Sequence, residues 1–190
     1  MNLLQSSFAN TETKLQNLNP ILIIPLGVVA GFLLGIIARL WMRWISTDPE
    51  FTWSGSIFIV MAFTLFFTAH STVFFAVRKG WSRRSMIIAR SGAIVFSLPI
   101  FIAAGAVMLP TVVMGSMAVW RRSLPKRVRA ILGVASLAIP INLVKDIGGD
   151  FGWGVVTLGR ILLFVFIYGS VIAVTRSTVT KLPGGKQKNR

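Results

Sequence analysis

The residues best suited to chemistry crowd into positions 39–55, where Arg39, Trp41, Arg43, Trp44, Asp48, Glu50 and Trp53 follow one another closely. Arg39 and Arg43 stand four apart, so a helix carries both on one face, with two carboxylates a turn or so further along. Two readings fit. Guanidinium groups beside tryptophans anchor a helix at a bilayer boundary, with charges that pair locally. Alternatively, the arginines line an outward-facing pocket for an anionic head group or substrate. Arg160 adds to the second reading, because it falls about two turns inside an apolar segment, where an ionised side chain is costly unless paired or hydrated. Asp146, Asp150, Asp48 and Glu50 are its candidate partners. An ion pair with Asp150 or Asp146, locking the segments together, is the expected arrangement.

His70 sits near the middle of another apolar segment, among Thr64, Thr68 and Ser71. A proton relay through it needs a membrane-embedded Asp or Glu, and none is available. A hydrogen bond to a neighbouring helix is the expected role. With one histidine and no cysteine, the chain by itself excludes disulfides, thiolate ligands and a two-histidine metal site. The sequence contains no G-x-S-x-G, H-E-x-x-H, P-loop or G-x-G-x-x-G pattern. Acid–base chemistry could draw only on the charged cluster above, so catalysis is disfavoured, and neither metal nor cofactor is expected.

The elements that must position these residues are membrane-spanning. A chain of 190 residues that is 54% hydrophobic and 13% charged, with mean hydropathy +0.75, is too apolar for a small soluble core. Residues 78–90, 121–129 and 176–190 hold five Lys or Arg each and no acid, which together equal the net charge of +15. The other five basic residues, Lys14, Arg39, Arg43, Lys145 and Arg160, are balanced by Glu12, Asp48, Glu50, Asp146 and Asp150. Short cytoplasmic loops collect Lys and Arg, so the three basic stretches are expected inside and the balanced loops outside. Trp41, Trp44, Trp53 and Trp153 then flank the outer boundary, and Trp81 and Trp120 the inner one. Charge of this kind points to anionic lipid head groups as partners and not to nucleic acid.

Six crossings with both termini cytoplasmic satisfy this pattern, in an all-α polytopic fold: a polar segment 1–19, one transmembrane domain over 20–175 and a flexible basic tail over 176–190. Segment one, 21–40, has Gly27, Gly31 and Gly35 on one face, a surface for close helix packing within the chain or with another copy. Segment two covers 57–77, and residues 47–50 (Thr-Asp-Pro-Glu) read as a helix start in the interface, with Gly55 a bend. The charge-free stretch 91–120 reads as a tight or re-entrant hairpin turning near residues 103–106, its short second arm kinked at Pro110. As a single crossing it would leave five segments and separate the basic loops. Segment five, about 128–144, and segment six, 153–174, are joined by a Gly- and Asp-rich connection over 145–152.

The stretch 39–55, and more weakly 108–112 (Met-Leu-Pro-Thr-Val), resembles sequence in small uncharacterised bacterial integral membrane proteins. The resemblance implies a bacterial inner-membrane location and brings no activity, substrate or cofactor. The expected function is that of a non-catalytic accessory, assembly or lipid-interacting membrane subunit, packing on a membrane-protein partner or on itself through the glycine face. The alternative is a small oligomeric transporter or channel with the outer Arg/Asp/Glu cluster as its site.

Overall fold

Long apolar runs become helices because a membrane leaves backbone N–H and C=O groups no partner except each other. The computed structural model describes residues 20–48, 51–103 and 106–180. After a 3-10 turn at Pro20–Leu22, the helices are α1 (Ile23–Trp44), α2 (Trp53–Arg78), α3 (Arg83–Val95), α4 (Leu98–Ala103), α5 (Met108–Trp120), α6 (Lys126–Phe151), α7 (Val155–Val174) and α8 (Arg176–Val179). Counting α3 with α4 and α7 with α8, five helical stretches are long and apolar enough to cross a membrane, and α5 is a shorter sixth. The protein is thus an all-α polytopic membrane protein. Glu50, the segment 1–19 and tail residues 181–190 lie outside the described residues.

The glycine face of α1 is used inside the chain. Gly27 faces Ser71 and Phe67, Gly31 faces Phe63 and Thr64, and Gly35 faces Val60, so α1 and α2 run antiparallel with their backbones close together. Around this pair lies the main core, in which Leu34, Trp41, Phe63 and Phe66 meet Phe101 of α4, Val112 of α5 and Phe164 and Val171 of α7. A smaller cluster of Val73, Ala76, Met86 and Ala93 joins α2 to α3.

The stretch between the two central basic loops folds as a hairpin. Pro99 has no N–H for the carbonyl four residues back, and helix α3 accordingly ends before Phe96 and Ser97, with α4 resuming at Leu98. Beyond α4, Ala106 adopts φ 59° and donates its N–H back to Phe101 O at 2.6 Å. The ends of both arms meet the end of α7: Arg90 Nη2 donates to Ser177 O at 2.9 Å, and Trp120 Nε1 donates to Ile172 O at 2.8 Å. The loops before α3 and after α5, together with Arg176, therefore share one end of the molecule, here called the basic end. Trp41, Trp44, Phe151 and Arg160 gather at the opposite, balanced end. In this cysteine-free chain, single cysteines replacing Arg83 and Lys126 are expected to react with an impermeant thiol reagent from the same side of the membrane. Labelling from opposite sides would contradict the hairpin.

Four sequence expectations need correction. Helix α2 begins at Trp53, not near Pro49: Thr52 is extended (φ −121°, ψ 130°), and its carbonyl accepts from Ser56 Oγ at 2.9 Å in the first turn. Gly55 is then the third residue of a continuous helix and no bend separates it from an earlier one. Pro110 falls in the first turn of α5, where a missing N–H leaves no partner unsatisfied, so it starts the arm. The supposed loop over 145–152 is mostly helix, because α6 runs on to Phe151. Trp153 packs its ring against Gly148, where any side chain would collide with it, and this contact offsets the roughly 1 kcal/mol by which glycine disfavours a helix.

Candidate functional site

At the balanced end, the described members of the expected Arg/Asp/Glu cluster do not pair with one another, and Glu50 lies outside the described residues. Arg39 donates from Nε to Ser56 Oγ at 3.0 Å, tying α1 to the first turn of α2. Arg43 lies over the Phe51 ring at 5.0 Å. Asp48, Asp146 and Asp150 are exposed. Trp41 is buried and not an interfacial anchor: its indole N–H donates to Arg160 O at 2.8 Å, and its ring stacks on Phe164 at 5.4 Å.

Arg160 makes no ion pair with Asp146 or Asp150, against the sequence expectation. Its guanidinium sits 3.7 Å from the Phe151 ring centre and 5.5 Å from that of Trp44, and its buried Nε has no hydrogen-bond partner. Helix continuation past residue 145 explains the change, since it brings Phe151 over Arg160 and leaves both aspartates exposed. Cation–π contacts of about 0.5–2 kcal/mol then stand against an unsatisfied buried donor worth about 1–3 kcal/mol. Arg160→Leu is accordingly expected to move stability by less than about 1 kcal/mol. A large loss in a thermal unfolding experiment would reinstate a strong polar partner.

The basic end is different. A cavity of about 550 Å³ opens there between α2, α3, α4, α5 and α8. Helical spacing aligns its walls: Phe66 and His70 on α2; Arg90, Ile94 and Ser97 along α3 and its end; and Leu109, Val112, Val113, Ser116 and Met117 on α5. Leu98 and Phe101 close it from α4, while Arg121, Thr175 and Thr178 stand at the polar side. One part of the cavity is therefore apolar and the other carries guanidinium and hydroxyl groups.

The polar part is held together by α8. Ser177 Oγ donates to His70 O at 3.3 Å while its own carbonyl accepts from Arg90. The Thr175 hydroxyl lies 2.8 Å from Ser116 Oγ and 2.7 Å from Ile172 O. Two polar atoms in this wall, Arg90 Nε and Thr178 Oγ1, are buried with no partner. Among the described residues the acids, Asp48, Asp146 and Asp150, all belong to the other end, and none of them pairs with Arg90. A guanidinium set into a low-dielectric wall with an unused donor is a site for an anion.

His70 belongs to this cavity; it bonds the neighbouring α8 through its backbone carbonyl, and its imidazole stays within α2. Its Nδ1 lies 2.9 Å from Phe66 O in its own helix, and its ring packs on Phe66 at 4.3 Å. In the sequence Arg90 counts only as one charge of the basic stretch 78–90, and Ser97, Ser116, Thr175 and Thr178 carry no mark of a site. The available signal was the spacing of Arg90, Ile94 and Ser97, which puts one cation and one hydroxyl on the same helix face.

No protein-family model matches this chain, and no curated protein and no solved structure matches it either.

Proposed function

We propose that this protein is a non-catalytic, lipid-interacting subunit of a bacterial inner membrane that holds an anionic lipid in the cavity at its basic end. The observation that carries the reading is the pairing of Arg90, with its unpartnered Nε, and Arg121 with an apolar wall of Phe66, Ile94, Leu98 and Val113 in one cavity. Arg90 stands seven residues after the start of α3, about 10 Å along its axis, between the basic loop and the apolar part of the helix. The charge binds the phosphate and the apolar wall accepts the chain.

Orientation follows from the charge bias: the basic end is cytoplasmic, and both termini with it. The resemblance of residues 39–55 to bacterial membrane proteins supports the location. The surrounding basic loops add a diffuse attraction for anionic lipid of about 1 kcal/mol per residue near the surface, screened over about 8 Å at physiological salt. The cavity differs from them in holding its ligand when salt is raised.

The alternative, a transporter with its site at the balanced end, finds no support in this geometry. Arg39 is bonded to Ser56, Arg43 covers Phe51 and Arg160 is enclosed by aromatic rings. A docking role for the glycine face also loses ground, since α2 covers that face.

The test is native mass spectrometry of the protein released from nanodiscs of mixed phosphatidylglycerol and phosphatidylcholine at high salt. Wild type is expected to retain phosphatidylglycerol selectively. Loss of charge-assisted hydrogen bonds at about 1.5–3 kcal/mol each should lower that retention tenfold or more in Arg90→Gln/Arg121→Gln. Retained lipid that mirrors the nanodisc composition, or an unaffected double variant, would refute the proposal.

A further inference from the structure

We propose that Phe101 is a chain-length gate. On this view the Arg90 cavity continues past Phe101 and Val112 into a second, apolar chamber, which receives the far part of one acyl chain of the bound lipid. The inference rests on the lipid reading above and adds what the site selects.

The second chamber, of about 350 Å³, lies between α1, α2, α4, α5, α6 and α7 toward the balanced end. Phe101 and Val112 line both spaces. Along α2, Phe66 faces the Arg90 cavity and Phe63, one turn toward the balanced end, faces the second chamber, so the two spaces follow one another along the helix axes. A lipid anchored by its phosphate at Arg90 thus has its chain directed at Phe101.

The chemistry of the second chamber fits only hydrocarbon. Its walls carry no charged residue, and its polar side-chain groups are already bonded. Trp41 donates to Arg160 O, and the Tyr168 hydroxyl lies 3.2 Å from both Thr111 O and Ser136 O. Water needs two or more polar partners to occupy such a space, and the few polar groups of this lining are engaged with the protein. An acyl chain needs none and restores dispersion contacts to the lining.

Phe101 is also placed to move. It sits on α4, a helix of six residues that ends at Ala103 and is separated from α3 by the break at Phe96 and Ser97. Interrupted backbone of this kind persists inside a membrane where it lines a cavity, and Ser97 and Leu98 do line the Arg90 cavity. The Phe101 ring meets Phe66 edge-on at 6.4 Å, a contact that a change of the Phe101 side-chain rotamer releases while its backbone stays bonded to Ala106 N–H.

The decisive measurement is competition among phosphatidylglycerols with short, medium and long saturated chains, presented in nanodiscs to the full-length protein and read by native mass spectrometry. Phe101→Ala joins the chambers and is expected to shift retention severalfold toward the longest chain. Phe101→Trp narrows the passage and shifts it toward the shortest. Val112→Ala opens the same passage from α5 and should reproduce the alanine result, which keeps the test decisive if Phe101→Ala fails to fold. Selectivity over phosphatidylcholine of equal chain length is read in the same competition for all three, as a measure of the head-group site. Unchanged chain preference with that selectivity intact would overturn the gate alone. Absence of phosphatidylglycerol selectivity in the wild type would overturn the lipid reading and the gate together.

Discussion

Gly31→Leu is expected to destroy the packing of the first helical hairpin. A Cβ at this position would stand 2.8 Å from Phe63 O and from Thr64 Cα, and 2.9 Å from Phe67 Cβ. Two of these neighbours are backbone, so no side-chain rotation relieves the clash and the helices must separate along their length. Overpacking a dense interior costs about 1–3 kcal/mol and more where backbone must move, a large fraction of a typical stability of 5–15 kcal/mol. Dispersion between close backbones is what holds apolar helices together in lipid, where the hydrophobic effect no longer favours association. Gly92→Ala is the contrasting control: nothing lies within 4 Å of its Cβ, and α3 should gain up to about 1 kcal/mol of helix propensity. Thermal unfolding in detergent measures both, and a Gly31→Leu midpoint equal to wild type would show that α1 and α2 are not packed this way.

Much of this hairpin was legible in the sequence, because glycine at four-residue spacing leaves one interpretation for the face. What it faces was not legible, since Ser71, Thr64 and Val60 carry no mark of being opposite it. The all-basic stretches likewise fixed the turn within 91–120, as charge bias constrains sidedness more tightly than helix length does. Reading residues 145–152 as a loop failed because glycine and aspartate are breakers only where nothing packs on them, and Trp153 does. The same error moved the Arg160 environment from carboxylate to aromatic ring. The Arg90 cavity lay further out of reach. Five helices supply its walls, and of its lining only His70 had drawn notice by itself, for an unrelated reason. Periodicity reveals which residues share a helix face, but a cavity depends on which faces meet.

Tyr168→Phe, the removal of one oxygen, is expected to cost about 1–3 kcal/mol, the range for leaving a buried acceptor without its donor. The cause lies in another helix. Pro140 interrupts α6 without breaking it, and lacking an N–H it cannot bond the carbonyl of Ser136 four residues back. In water that carbonyl would be solvated; inside a membrane domain it needs a protein donor. The Tyr168 hydroxyl on α7 lies 3.2 Å from it, and equally 3.2 Å from Thr111 O on α5, so one side chain ties three helices at the point where α6 is weakest. A double-mutant cycle isolates the effect. Pro140→Ala returns an N–H to α6, which can then satisfy Ser136 O by itself. Tyr168→Phe should therefore cost clearly less in the Pro140→Ala background than in the wild type. Equal costs in the two backgrounds, read from unfolding midpoints in the same detergent, would show that the tyrosine acts only by filling space between α5, α6 and α7, and that the proline-freed carbonyl has no part in its role.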